Sequence, residues 1–164
     1  MRIVRLPRWG VIVGAGVAAG TVATAVQVLL WLVSAAGFPG VLFRDARLTA
    51  ALVLGSQVLP PPATFDVSVW VVATAIHFAL SIAYAALAGP LALRLPGWRG
   101  ALAGALFGAA LYVVNLYGFA ALFPWFAQAR GGAAAAAHVA FGVTAVAAYR
   151  FLLLRYGRSS PGAR

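Results

Sequence analysis

The chain has 164 residues, of which 64% are hydrophobic and only 9% are charged, and its mean hydropathy is +0.98. Soluble domains carry about 25% charged residues and disordered chains are poor in apolar residues, so this composition excludes both classes and indicates lipid as the solvent. The net charge is +10, from twelve arginines and two aspartates, and the absence of cysteine excludes disulfides and thiolate chemistry.

Four apolar runs follow one another along the chain, each long enough to cross a membrane as a helix. A bilayer core needs about 20 apolar residues in helical form, and backbone groups in lipid need partners within their own segment. The predicted spans are residues 10–36, 67–88, 100–122 and 132–154. Gly89-Pro90 is predicted to weaken or end the second helix. The sequence therefore predicts an all-α, integral-membrane four-helix bundle that forms one membrane domain over residues 1–164.

A shorter apolar segment, residues 44–59, lies between the first two spans. It is too short to cross a bilayer, so we expect a helix that lies in the interface or re-enters the membrane to line a cavity. Asp66 stands just before the second span, where its carboxylate can cap the first free amides of the helix.

The arginines are distributed unequally between the two sides of the predicted bundle. Nine lie at the two termini and between the second and third spans, whereas three lie in the other two connections; the nine are Arg2, Arg5, Arg8, Arg94, Arg99, Arg150, Arg155, Arg158 and Arg164, and the three are Arg44, Arg47 and Arg130. Because positive charge is retained in the cytoplasm, both termini are predicted to be cytoplasmic. In a bacterium the membrane is then the inner membrane.

The first span has a second interpretation. Three arginines, an apolar stretch and Ala23-Thr24-Ala25 also resemble a cleavable signal peptide, whose removal would leave three spans. The apolar run continues to Ala36 without a polar region before that point, which favours an uncleaved span.

Four polar side chains share one depth in this arrangement. Gln27, His77, Asn115 and His138 each lie about 9 to 15 Å below the outer boundary, at 1.5 Å of rise per residue. An unpaired polar group in hydrocarbon costs several kcal/mol, so the four should face one another. Neighbouring polar residues on the same helix faces are predicted to support this layer: Thr74, Ser81, Tyr84 and Tyr149.

The layer fits three roles at this stage. It can be a hydrogen-bond network that fixes helix register, a pathway or pocket for a small solute, ion or proton, or a haem b site with His77 and His138 as axial ligands. The first is favoured, because no carboxylate lies inside a span and two isolated histidines do not make a zinc site.

An enzyme is not expected from this inventory of residues. His77 and Ser81 lie four residues apart on one helix face, but no carboxylate in the spans can orient the histidine, and no nucleophile elbow is present. Nucleic-acid binding is not expected either, because the arginines mark span ends rather than forming a patch. The expected partner is the lipid bilayer, with self-association or another membrane protein as further partners.

Several stretches of the chain resemble a family of small proteobacterial inner-membrane proteins, some of whose members are labelled sodium:proline symporter. They are LFRDARLTAAL (42–52), VLPPPATFD (58–66), LYVVNLYGF (111–119), His77-Phe78 and HVAFG (138–142). The similarity covers nearly the whole chain apart from the tail after Tyr156. It implies a membrane location and a four-span fold, and it carries over no functional residues.

Overall fold

The computed structural model describes residues 8–34 and 36–157, which are helical apart from short turns and contain no strand. The five α-helices are α1 (Arg8–Leu32), α2 (Gly40–Leu54), α3 (Val67–Arg94), α4 (Trp98–Val113) and α5 (Gly132–Gly157). Within the described residues, four helical segments are long and apolar enough to span a membrane: Trp9–Leu32, Val67–Arg94, Trp98–Ala121 and Gly132–Tyr156. The prediction of an all-α protein with four such helices is confirmed.

The first two spans end at different residues from those predicted. α1 stops at Leu32 rather than at residue 36, because the chain turns there and Gly37 takes a positive φ of 77° before α2 begins. Gly89-Pro90 does not end the helix, since α3 continues to Arg94. Gly89 lies against the ring of Tyr149, and Ala92 is buried in the core, so packing outweighs the one hydrogen bond that proline cannot make.

The start of α3 agrees with the sequence. One carboxylate oxygen of Asp66 accepts hydrogen bonds from the backbone amides of Ser68 at 2.8 Å and Val69 at 3.1 Å. The Ser68 hydroxyl also donates to this oxygen. Together these hydrogen bonds, of which that from the Ser68 hydroxyl has the largest effect, hold the pKa of the exposed Asp66 carboxyl below its ordinary value. Asp66 is therefore the predicted N-cap.

The third span is not a regular α-helix over its whole length. α4 passes at Val114 into a π-helical turn, Val114–Gly118, and then into a 3-10 turn, Phe119–Ala121. Two further 3-10 segments lie outside the spans: Ser56–Val58, which follows α2, and Pro124–Ala129, which precedes α5. The predicted short segment 44–59 is thus α2, beginning four residues earlier, and a 3-10 turn.

Glycines bring the long helices into backbone contact. A Cβ on Gly104 or Gly108 of α4 would collide with the backbone of Gly142 or His138 of α5, in an order that makes this pair antiparallel. Gly16 of α1 lies in the same way against Ile82 of α3. α1 also packs extensively against α5. Small residues permit this close approach, which van der Waals contact rather than water expulsion stabilises in lipid.

Small apolar side chains fill the interior, and large apolar side chains cover the outside. The core holds fully buried alanines of three helices, including Ala15, Ala85 and Ala145. By contrast, Leu87 and Leu106 remain 64% exposed. An apolar outer surface on apolar helices is what a lipid environment requires.

Candidate functional site

A cavity of about 880 Å³ lies among α1, α3, α4 and α5, at the end of the molecule where α2 and the segment Pro124–Ala129 are also found. Gln27, His77, Asn115 and His138 all line it. The opposite end of the helices carries Arg94, Arg99, Arg150 and Arg155, none of which lines the cavity. The four polar residues that the sequence places at one depth are therefore brought to a single cavity.

One group of contacts joins α1 to α3. The Nε2 atom of His77 lies 3.3 Å from the carbonyl oxygen of Gly20 and 3.3 Å from the hydroxyl of Thr24. A carbonyl can only accept, so Nε2 carries the hydrogen. The Nδ1 atom of His77 is then an acceptor, and it has no hydrogen-bond partner among the described residues although it retains accessible surface.

A second group joins α3, the π-helical turn and α5. The Tyr84 hydroxyl donates to Oδ1 of Asn115 at 2.7 Å, and Nδ2 of Asn115 lies 3.4 Å from Nε2 of His138. Nδ1 of His138 lies 2.8 Å from the carbonyl oxygen of Ala134, to which it donates. Nε2 of His138 must then accept from Asn115. The hydrogen bonds run in one direction, from Tyr84 to Ala134.

The third group includes an acidic residue outside the four spans. Nε2 of Gln27 donates to Oδ2 of Asp45 at 3.4 Å, while Nε and Nη2 of Arg44 lie 2.8 and 2.7 Å from Oδ1. Burial raises the pKa of the Asp45 carboxyl, and Arg44 opposes that rise. Asp45 is thus a half-buried carboxyl that faces the cavity from α2.

Asn115 lies within the π-helical turn, on the face that helix periodicity also predicts. An extra residue in a helical turn rotates the side chains that follow and leaves a carbonyl without its usual partner. Here Nε of Arg130 donates to the carbonyl oxygen of Leu116 at 2.9 Å, and its guanidinium lies 4.1 Å from the ring centroid of Tyr117. Arg130 therefore supports the turn that carries Asn115.

Two side chains hold α2 against the mouth of the cavity. Arg47 is buried and donates to the carbonyl oxygens of Val58 and Thr64, both at 3.1 Å, which ties α2 to the chain that precedes α3. The indole of Trp125 donates to the carbonyl oxygen of Leu48 at 3.0 Å. α2 is therefore held at the cavity by two side chains, Arg47 and Trp125, and it lines the cavity.

The supporting residues predicted from helix periodicity fall into two sets. Thr74, Ser81 and Tyr84 line the cavity with His77. Tyr149 does not: it is buried against Gly89, two turns beyond Phe141 towards the arginine-rich end. Periodicity predicts the helix face of Tyr149 but not its position along the helix, which lies beyond the cavity.

Sequence reasoning missed Asp45 and the aromatic wall of the cavity. Asp45 lies in a helix too short to span, so counting acids within spans overlooked it. The aromatic residues come from α1, α3, α5 and the chain between α4 and α5: Trp31, Trp70, Phe78, Tyr84, Phe119, Phe123, Phe126 and Phe141. Only the tertiary contacts bring these distant residues together, although the pair Arg44-Asp45 in an apolar segment could have been read as a charge held in place by function.

The donor set does not favour iron or zinc at this site. Both nitrogens of His138 are hydrogen bonded to protein, and Nε2 of His77 is directed at Gly20. Axial ligation of haem through Nε2 would have to break these bonds. No group of three or more potential metal ligands occurs within residues 8–34 and 36–157.

The fold and the site define a membrane-compatible helical protein with a largely apolar cavity at one end that holds a few polar side chains. Comparison with protein-family models, with curated proteins and with solved structures found no match. The function must therefore be argued from the cavity itself.

Proposed function

We propose that this is a non-enzymatic, multi-pass inner-membrane protein that binds a small solute in the cavity between its four spans. The observation that carries the proposal is the convergence of polar side chains from all four spans, and of the Asp45 carboxyl from α2, on one space of about 880 Å³. Cavities of about 300 to 1,000 Å³, largely apolar with a few placed polar groups, are typical of small-molecule sites.

The contacts argue against a purely register-fixing role for the polar layer. Such a network would satisfy its members directly across the helix interfaces. Bonds of that kind join His77 to α1 and Asn115 to α3 and α5, but no hydrogen bond among the described residues joins His77 to Asn115 or His138, and Nδ1 of His77 has no partner among those residues. The polar groups therefore face the cavity as well as one another.

The charge distribution supports an orientation for the site. Arg94, Arg99, Arg150 and Arg155 lie at the end away from the cavity, and the positive-inside rule assigns that end to the cytoplasm. Of the nine arginines assigned to that side, Arg2, Arg5, Arg158 and Arg164 lie outside the described residues. Both termini are then cytoplasmic, and the cavity lies in the periplasmic half of the membrane.

Packing favours solute binding over an open channel. Beyond the cavity, α4 and α5 meet at Gly104 and Gly142, and α1 meets α3 at Gly16. These backbone contacts close the α4–α5 and α1–α3 interfaces beyond the cavity, which disfavours a continuous path between those helices. Translocation would need a second conformation or another copy of the chain. A translocator, including a symporter, would therefore first bind the solute in this cavity.

The lack of native cysteine gives a direct test of the proposal. A single cysteine in place of Thr74, which lines the cavity, should react with small water-soluble thiol reagents in lipid nanodiscs, where both faces are open to solvent. The matched control is Ala79→Cys on the same helix, at a position that is exposed on the apolar surface and does not line the cavity. It should react at least about tenfold more slowly, because thiolate forms poorly in hydrocarbon.

Filling the cavity should protect the introduced thiol. Ala46→Phe adds a ring from α2 into the cavity and should slow the reaction of the Thr74→Cys thiol, whereas Val53→Phe, at a position 69% exposed on the same helix, should not. If the Thr74→Cys and Ala79→Cys thiols react at equal rates, or if Ala46→Phe changes nothing, the proposed binding cavity is wrong.

A further inference from the structure

We infer that the cavity selects organic cations, such as a protonated amine or a quaternary ammonium group with apolar substituents, held between the Asp45 carboxylate and the aromatic wall. This inference rests on the proposed function, since it names the class of solute that the same cavity would bind.

The charge at the cavity surface is opposite to that of the whole chain. The protein carries twelve arginines and a net charge of +10, yet no arginine lines the cavity, and Asp45 is its one acidic residue among the residues described. An occupant of the cavity is therefore next to a carboxylate and not to an arginine.

The neighbouring arginine pairs with one oxygen of the Asp45 carboxylate and leaves the other oxygen outside the ion pair. Arg44 binds Oδ1 of Asp45, does not itself line the cavity, and is 32% exposed, compared with 18% for Asp45. The more exposed charge is screened more strongly by water and head groups. Oδ2, which faces Gln27, is the oxygen left with only a 3.4 Å contact.

The cavity lining also includes uncharged hydrogen-bond acceptors beside its hydroxyl groups. Gln27 turns its amide nitrogen to Asp45, so its Oε1 can accept, and Nδ1 of His77 is an acceptor without a partner among the described residues. A protonated amine can donate hydrogen bonds to these acceptors, whereas a quaternary ammonium group has no N–H and is held by the carboxylate and the aromatic rings alone.

The aromatic residues supply the second half of the recognition. Eight of them line the cavity, and they include Trp31 of α1 and Trp70 of α3. Aromatic faces attract cations, most strongly where water is excluded, and tryptophan provides the strongest attraction. Apolar substituents of the same occupant would pack against the remaining rings.

The experiment compares three methanethiosulfonate reagents on Thr74→Cys in nanodiscs: a trimethylammonium reagent, a sulfonate reagent and the neutral methyl reagent. After normalisation to a free thiol, the cationic reagent should react at least about tenfold faster than the anionic one, the range by which charged clefts change association rates. Asp45→Asn should bring the two rates close to parity, and Asp45→Glu should retain the preference.

The neutral reagent separates loss of charge from loss of fold. Its rate at the Thr74→Cys thiol should be unchanged by Asp45→Asn if the cavity is intact. If Asp45→Asn misfolds, the ratio of the cationic to the anionic rate in the protein that retains Asp45 still tests the cation selectivity. Tetraphenylphosphonium should protect the same thiol from the neutral reagent when Asp45 is present and not in Asp45→Asn.

The outcomes distinguish the two claims. Equal rates for the cationic and anionic reagents, each faster at Thr74→Cys than at Ala79→Cys, would overturn the cation selectivity and leave solute binding standing. Failure of every reagent to distinguish Thr74→Cys from Ala79→Cys would remove the proposed function together with this inference.

Protonation should compete with the cation. Because burial raises the pKa of Asp45, its charge is present above that raised pKa and is lost as the pH falls through it. The charged or titratable groups that line the cavity or lie on α2 are Arg44 and the buried Arg47 on α2, His77 on α3 and His138 on α5. Protonation of either histidine would add positive charge and so would also oppose binding of a cation. Protection by tetraphenylphosphonium should therefore weaken on acidification, and an increase in protection would contradict the assignment.

Discussion

Asn115 joins three helices through one side-chain amide. Its Oδ1 accepts from Tyr84 and its Nδ2 donates to His138, so the amide satisfies a group on α3 and a group on α5 at once. In a membrane each such interhelical bond is worth about 0.6 kcal/mol on average. The residue is therefore expected to orient His138 more than to stabilise the fold.

The Tyr84–Asn115 bond can be measured by a double-mutant cycle. Tyr84→Phe and Asn115→Leu should each lower the free energy of unfolding in a denaturing detergent, and their coupling should be about 0.6 kcal/mol. Tyr117→Phe serves as the control, because Tyr117 is exposed and contacts Arg130 through its ring. A coupling of zero would mean that the 2.7 Å contact between Tyr84 and Asn115 adds nothing to the folded state.

At the scale of the helix, glycines decide how near the elements approach. Gly108 of α4 lies against the carbonyl oxygen of His138, so any side chain there must push α5 away and move His138 with it. Overpacking of this kind typically costs about 1 to 3 kcal/mol. The small-residue pattern therefore positions the site as well as the helices.

Substitution of two glycines in the same span tests that point. Gly108→Ala should destabilise the protein by about 1 to 3 kcal/mol and change the reactivity of the Thr74→Cys thiol. Gly118→Ala should do neither, since a Cβ there meets nothing within 4 Å and the backbone already has a helical φ of −66°. Because alanine has the higher helix propensity, similar losses for both variants would contradict the assignment of the cost to contact with α5.

Hydrophobic runs located the helices but not their ends. Residues 67–88 were sufficient to predict a span, yet α3 continues through Pro90 because Gly89 and Ala92 are held by neighbouring helices. In the third span, the change from α-helix to π-helix at Val114 has no compositional signal. Both features depend on contacts between segments distant in sequence, which a local pattern does not contain.

For the molecule as a whole, the unequal distribution of arginines is the basis of the proposed orientation. We expect a reporter enzyme active only in the cytoplasm to be active when fused after Arg164, and a periplasmic reporter to be active when inserted after Gln128, which is exposed in the segment before α5. The reverse pattern of reporter activity would show the opposite orientation, with the cavity on the cytoplasmic side.

The sequence by itself determined the solvent, the number of long apolar helices, the N-cap at Asp66 and the helix faces on which Gln27, His77, Asn115 and His138 lie. These follow from composition and from periodicity along single segments. The tertiary structure alone decided that α2 brings Asp45 to the cavity, that Asn115 donates to His138, and that Tyr149 lies elsewhere. Those results depend on how far one helix slides along another, and that displacement is set by glycine contacts and side-chain volumes between segments that no single stretch of sequence encodes.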